Sequence, residues 1–296
     1  MKNIIPQEII NILEELQASG YDAYIVGGCV RDYLLGRKPK DWDITTSAKP
    51  EEIQEVFPGS FYENTFGTVT ILTENENSAL RAVEITPFRI EGKYSDRRHP
   101  DEIKFAKTLK EDLSRRDFTI NAMAIKQDKV ADYFGGKDDL KNKTIKTVGD
   151  PDERFREDAL RIMRATRLAT ELDFDIEKKT AEAIKNNSEL IKEISVERVR
   201  DELIKILSIP SKNPTGKIKF WQETELTESD LASGAIKGVE LLRDLGILKH
   251  IIPELEAGMG VTQNKHHIFT VWEHNMRAFA YAVKMDFSLE VKIASL

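Results

Sequence analysis

Apolar Ile9, Ile10, Leu13 and Leu16 recur at helical spacing over residues 7 to 19, with Gly20 as a stop, and predict a first helix. Residues 21–26 form a short apolar run that predicts a buried strand. Gly27 and Gly28 predict a tight turn, residues 30–35 a short helix ended by Gly36, and residues 42–45 a second strand. A helix follows over 50–57. Residues 68–72, 82–88 and 103–106 are rich in β-branched or aromatic types between polar turns and predict further strands. The charged stretch EGKYSDRRHP at 91–100 lies between two of these strands and reads as a mobile loop suited to closing over a substrate. After residues 130–134 and the turn at Gly135 and Gly136, strand signals cease. From about Asp152 the pattern is helical, with helices at 178–194, 196–207, 238–245 and 274–283 and a Pro-containing polar break at 210–214. The predicted class is α+β, a mixed sheet with helices followed by an all-α part, with a boundary near residue 150. There is no internal repeat and no low-complexity tract.

With 296 residues, 40% of them hydrophobic, the chain is long enough for two modest domains. No run approaches the roughly 18 to 20 apolar residues that span a bilayer, and the first residues lack the apolar segment of a secretory signal. A soluble cytoplasmic protein with no membrane partner is expected. A single cysteine, Cys29, excludes an internal disulfide and any multi-cysteine zinc site. The net charge of −7 argues against a uniformly basic nucleic-acid binder. Arginines nevertheless cluster at Arg97 and Arg98, at Arg115 and Arg116, and from Arg154 through Arg167, so the chain carries either a local basic groove or a set of solvated helix faces.

Asp41 and Asp43 flank Trp42 on a predicted strand, where alternation sends both carboxylates to one face. Two hard oxygen ligands at this spacing suit magnesium, which prefers carboxylates and substrate phosphates to a complete protein cage. Such a pair can activate an attacking hydroxyl and neutralise a leaving pyrophosphate. Gly27 and Gly28 lie between a strand and a helix, so their N–H groups can cradle a triphosphate with Arg31 one turn on; an ordinary strand-to-helix turn is the alternative. The P-loop and dinucleotide patterns are both absent. Glu84, between Val83 and Ile85, is either a third carboxylate of the site or a solvent-facing residue of an edge strand. Arg115 and Arg116 precede the apolar segment 118–125 and suit phosphate binding, or else form surface ion pairs with Glu111 or Asp112.

In RFREDALRIMRATR, residues 154–167, one helix would line up Asp158, Arg161, Arg164 and Arg167 as a polar stripe opposite Ala159, Ile162, Met163, Thr166 and Ala169. An Asp acceptor and an Arg donor on adjacent turns match a base edge that offers an exocyclic amine beside a ring-nitrogen acceptor. Cytosine and adenine both present that edge, whereas guanine and uracil present carbonyls beside N–H donors. One site could therefore admit CTP and ATP and exclude GTP and UTP. The plain alternative is a solvated face of i,i+3 salt bridges.

Taken in order, GGCVRD (27–32), DWD (41–43), RRDFTINAMA (115–124), DYFGG (132–136) and RFREDALRIMRATRLA (154–169) resemble the class II tRNA nucleotidyltransferase and bacterial poly(A) polymerase family, the CCA-adding enzymes in particular. The resemblance implies a polymerase-β-like nucleotidyltransferase head at 1–150, a helical neck that reads the base at 151–210, and a helical body at 211–296. It implies Mg2+ on Asp41 and Asp43, with Glu84 as a candidate third carboxylate. Nucleotide would be bound by Gly27, Gly28, Arg31 and Arg116, and the base read by Asp158 and Arg161 with Arg164 and Arg167 nearby. The implied reaction is attack of a tRNA 3′-hydroxyl on the α-phosphate of CTP or ATP. CC-only, A-only and poly(A) addition share the same head. His266, His267 and His274 are similar to the start of an HD-type metal domain, but the later His-Asp pair would fall past Leu296, so no metal is assigned there. From a different class, an RNA-binding protein or HD phosphohydrolase with a silent head is the competitor.

Overall fold

The computed structural model describes residues 5–63, 67–91, 103–127, 129–211, 226–231, 234–264 and 268–296. They fall into two compact units, residues 1–142 with 146–150, and residues 143–145 with 151–296.

The first unit is a mixed seven-stranded sheet with helices. Its strands are β1 (Ala23–Val26), β2 (Asp43–Thr46), β3 (Phe61–Glu63), β4 (Thr68–Leu72), β5 (Ala82–Pro87), with β6 (Arg89–Glu91) and β7 (Ile103–Phe105) forming a separate antiparallel pair, then β8 (Met123–Lys126) and β9 (Lys129–Asp132). The order across the sheet is β3-β4-β5-β2-β1-β8-β9, and only β2 and β5 run parallel. The helices are α1 (Gln7–Ala18), α2 (Gly28–Leu34), α3 (Pro50–Val56), α4 (Ser78–Arg81), α5 (Leu109–Ser114) and α6 (Gly136–Lys141).

Alternation along the strands gives the sheet two unlike faces. One face carries Ile25, Ile44, Val69, Val83 and Ile85, all essentially fully buried. The register sets a single row along the other: Phe61, Thr70, Glu84, Asp43, Val26 and Ala124 are successive cross-strand partners. At the β1–β8 end this second face is covered, because Val26 and Ala124 pack with Leu109 and Leu113 of α5 and with Phe88. Over β5, β4 and β3 it is open, with Glu84, Ala82, Leu72 and Phe61 all exposed.

The three-residue strands β3 and β6 are too short for periodicity to announce. The apolar segment at 118–125 resolves into a 3-10 turn, Thr119–Asn121, followed by β8, the neighbour of β1. Residues 92–100 of the expected loop lie outside the described residues; Glu91 ends β6.

The second unit contains the two-residue parallel pair β10 (Thr144–Ile145) and β11 (Asp175–Ile176), then α7 (Pro151–Glu157), α8 (Leu160–Leu172), α9 (Lys178–Asn187), α10 (Val196–Leu207), α11 (Glu228–Leu231), α12 (Gly234–Asp244), α13 (Leu248–Ile251), α14 (Pro253–Ala257), α15 (Val271–Lys284) and α16 (Leu289–Ala294). Central α8 packs against α10 and α12. Gly238 of α12 permits close approach to both α10 and α8, since a Cβ there would collide with the Ile206 side chain and lie 3.3 Å from Oγ1 of Thr170. The helix expected over 178–194 ends at Asn187 and tightens into a 3-10 turn, Ser188–Glu193. Asn187 donates to the Ala183 carbonyl and to Asp152, and Ser188 Oγ donates to the Lys185 carbonyl, so side chains take acceptors the helix would otherwise use.

Gly136 opens α6 against the turn at 119–121, where an added Cβ would lie 2.3 Å from the Thr119 carbonyl oxygen. Backbone cannot yield there as a side-chain tip can, so Gly136→Ala is expected to lower stability by about 2–3 kcal/mol in urea denaturation. An unchanged midpoint would show that the turn gives way freely.

Candidate nucleotide and metal site

Asp43 opens β2 beside Glu84 of β5, its register partner, so both carboxylates leave the same face. Asp41 sits in the bend before the strand, not on it as expected. Trp42 is buried and anchors that bend, and the Asp41 charge still acts on Asp43. Burial, then Asp41, then Glu84 push the Asp43 carboxyl up to about 6, while the Arg116 guanidinium opposes them. Glu84 is exposed, but β5 lies inside the sheet, so the edge-strand alternative is wrong in its placement: Glu84 faces solvent because the face above it is open.

Gly27 caps α2 at φ +85°, a conformation that disfavours other residues. A Cβ there would lie 3.0 Å from Nη1 of Arg116 and 3.3 Å from Oδ2 of Asp43. The glycine is therefore where backbone, carboxylate and guanidinium converge. Gly28 follows it, with Arg31 in ordinary contact. Arg31 is buried and donates through Nε to Oδ1 of Asp32 at 2.9 Å and through Nη1 to Oδ1 of Asn121 at 2.8 Å. Asn121 in turn donates to Asp117 at 3.3 Å. Neighbouring Cys29 is buried and its thiol donates to the Val26 carbonyl; burial pushes it up to about 12, so it stays an unreactive thiol.

Arg116 is held from the far side by Asp112, whose side chain is wholly buried. That carboxylate accepts from Arg115 Nε at 3.0 Å, from the Arg89 backbone N–H at 3.3 Å and from Thr45 Oγ1 at 3.3 Å, and lies 3.9 Å from Arg116 Nη2. Of the two partners considered for a surface ion pair, Asp112 is thus an interior one, whereas Glu111 caps α5 through Thr108. Burial draws Arg116 below its ordinary range, Asp112 and Asp43 pull the other way, and its buried Nε has no acceptor among the described residues. A buried guanidinium with an unmet donor beside a glycine turn fits an anionic ligand.

Residues 154–167 do not form one helix. The chain breaks at Asp158 between α7 and α8, and Oδ1 of Asp158 accepts from the Leu160 N–H at 3.0 Å. Its Oδ2 accepts from Nη2 of Arg198 on α10 at 3.1 Å. Arg161 is buried and donates to Glu157 at 2.7 Å and to the Arg154 carbonyl at 3.4 Å. Arg167 pairs with Glu202 at 2.7 Å and Glu171 at 3.1 Å. Ala159, Ile162, Met163, Thr166 and Ala169 are fully buried, so the apolar side of the stripe is core, and its polar side is half-buried where a solvated salt-bridge face was the alternative.

Asp32, Asn121 and Arg198 were not among the candidates, and Asp112 entered only as a surface ion-pair partner. The first two lie inside the strings GGCVRD and RRDFTINAMA, which was the available signal; the positioning parts of Asp112 and Arg198 are set by packing and had none. Among the described residues, no group of three or more His, Cys, Asp or Glu converges to cage a metal by itself. Asp41 and Asp43 fit instead a divalent cation that shares its shell with substrate, since a cation would favour the charged form that burial and the neighbouring Asp41 disfavour at Asp43. No helix among the described residues is long and apolar enough to cross a membrane.

Residues 23–146 match the poly(A) polymerase head domain, and residues 173–214 match the probable RNA and SrmB-binding site of polymerase A. The crystal structure of the Bacillus stearothermophilus CCA-adding enzyme in complex with CTP superposes over 99% of this chain and 69% of that one, with TM-score 0.70 and 31% identity. The chain belongs to the class II tRNA nucleotidyltransferase and poly(A) polymerase family. The CCA-adding enzyme of Lactobacillus helveticus is 48% identical over 219 residues, 73% of this chain and 53% of that protein. The Thermotoga maritima CCA-adding enzyme complexed with tRNA aligns at TM-score 0.66 and 25% identity, covering 94% of this chain and 58% of that one. The chain spans about half the length of the curated relatives it matches.

Two outcomes follow from this geometry. The folded Asp43 carboxyl titrates above its ordinary value of 3.8, so the metal-free native state holds a proton between about 4 and 6 that the unfolded chain has lost. Its stability falls as pH rises through that window, and Asp43→Asn in EDTA at pH 7.5 should gain on the order of 2–3 kcal/mol by thermal unfolding, while divalent-cation affinity of the parent rises with pH through about 6. Asp112→Ala leaves the half-buried Arg115 and Arg116 guanidinium groups without their shared carboxylate and should cost about 3–5 kcal/mol in urea denaturation, with Asp112→Asn milder; a loss below 1 kcal/mol would mean that water replaces the carboxylate.

Proposed function

We propose that this chain is a template-independent nucleotidyltransferase of the cytoplasm that adds C and A from CTP and ATP to the 3′ end of tRNA. The observation that carries the reading is the convergence of Asp43, Arg116 and the Gly27 backbone, with Asp41 and Glu84 adding charge and Arg31 held by Asp32 and Asn121. The RNA 3′-hydroxyl oxygen would bond to the nucleotide α-phosphorus as the bridge to the β-phosphate breaks and pyrophosphate leaves. Asp41 and Asp43 would hold magnesium, which when bound supplies charge neutralisation at the reacting phosphate and lowers the pKa of the attacking hydroxyl. Arg116 and Arg31 bind triphosphate oxygens, and Gly27 and Gly28 let phosphate approach the backbone. Glu84 adds negative charge to the cation's side of the site.

For base selection we assign Asp158 as acceptor and Arg161 as donor, with Arg164 beside them. Both side chains are pre-organised, Asp158 by Leu160 and Arg198 and Arg161 by Glu157, so little freedom is lost when a base docks. Arg167, engaged by Glu202 and Glu171, takes a structural part.

The test is incubation with magnesium and tRNA ending before, after one and after two cytidines, each with CTP or ATP alone. Incorporation is expected, and the pattern across termini separates CCA from CC-only, A-only and poly(A) addition. No product in any combination, where a control enzyme works, overturns the reading. Asp41→Ala should lower the rate about a thousandfold or more with little loss of stability. Asp158→Ala should relax discrimination of CTP over UTP by about tenfold or more; unchanged discrimination removes the base-reading assignment.

A further inference from the structure

The sheet face that carries Asp43 and Glu84 does not end at those carboxylates. Its register continues from Glu84 to Thr70 and from Thr70 to Phe61 on the edge strand β3, so Phe61 stands in the same row, three strand intervals or about 14 Å from Asp43. Phe61 is 58% exposed. Leu72, two residues along β4 from Thr70 and directly paired with Ala82, shares the face and is 56% exposed. The other side of the same strands is sealed by Val69, Val83 and Ile85. α5 covers this face over β1, β8 and Thr45 of β2, while Phe61, Leu72 and Ala82 are exposed and form an open apolar strip leading up to the carboxylates.

We propose that this strip binds the bases of the RNA strand just upstream of its 3′ end, with Phe61 as the stacking platform; the inference rests on the transferase reading. A strand whose terminal hydroxyl lies at Asp41 and Asp43 must lead away from them, and Phe61, about 14 Å off, is within reach of a base close to that end. The carboxylates repel phosphate along this face, so it favours base over backbone contact. Stacking on a ring tolerates any base, and it gives an acidic protein of net charge −7 a hold on RNA that does not depend on Lys or Arg. The polar Thr70 and Glu84 interrupt the apolar surface, which suits single bases lying flat better than a protein helix.

Phe61→Ala should weaken binding of a fluorescently labelled RNA ending in the tRNA acceptor sequence at least fivefold, the low end of the 1–3 kcal/mol lost per unstacked base, and raise the RNA KM by a similar factor with the CTP KM within twofold. Phe61→Trp should restore binding to within threefold, and its added indole emission should fall when RNA is present. Because Phe61 is largely exposed, both variants fold, which circular dichroism checks. RNA affinity within twofold of the parent in Phe61→Ala overturns the inference, as does a change of oligomeric state in sedimentation without a change in RNA affinity, which would make β3 a protein-pairing edge. If the parent incorporates nothing yet binds RNA in a Phe61-dependent way, the transferase reading falls and the strip stands.

Discussion

Like charges on one partly buried face set the terms for the head unit. Asp43 sits beside Glu84 by register and within reach of Asp41, and burial first, then these two neighbouring carboxylates, raise its carboxyl to about 6. Such a cluster persists because Arg116 is placed against it. A guanidinium so buried is itself costly, and Asp112 offsets that cost from behind with a carboxylate that also accepts from Arg115, Thr45 and the Arg89 backbone. At the outer end of the resulting line of alternating charge, Asp112 to Arg116 to Asp43, the Asp41 and Glu84 carboxylates leave negative charge in excess. A divalent cation would offset that excess and share its remaining shell with substrate phosphates.

The same helix that supplies the counter-charge also shapes the face. α5 packs Leu109 and Leu113 over Val26 and Ala124, sealing the sheet at one end and delivering Arg115, its C-cap, and Arg116 just past its end. It does not extend over β5, β4 and β3, so the face changes from core to open surface within one row of residues. Thr45, on the same face, is buried beneath α5 and bonds Asp112, whereas Glu84 one strand away is exposed. The boundary between core and site is thus a matter of where a six-residue helix stops.

In the helical unit, Asp158 breaks the chain between α7 and α8 because its side chain takes the N–H of Leu160, as an N-cap does. That break turns a would-be surface stripe into pre-set groups, Asp158 tied to Arg198 and Arg161 tied to Glu157. Burial of Ile162, Met163, Ala165 and Ala169 keeps α8 immobile behind them.

Local pattern alone determined most elements of this protein. The strand at 68–72 and the helix at 196–207 match their predicted limits, since both are amphipathic or β-branched runs with clear stops. Pairing GGCVRD, DWD and RRDFTINAMA with a later EDALR string also made the family legible, because those strings combine residue types that few folds need together. Tertiary structure decided the rest. The Phe61 to Ala124 row depends on register between strands distant in sequence, and the interior place of Asp112, the Asn121 hold on Arg31 and the Arg198 hold on Asp158 join residues 3 to 90 positions apart. A sequence lists donors and acceptors, but only packing chooses which of them meet out of water, and that choice separates a solvated charge from a working one.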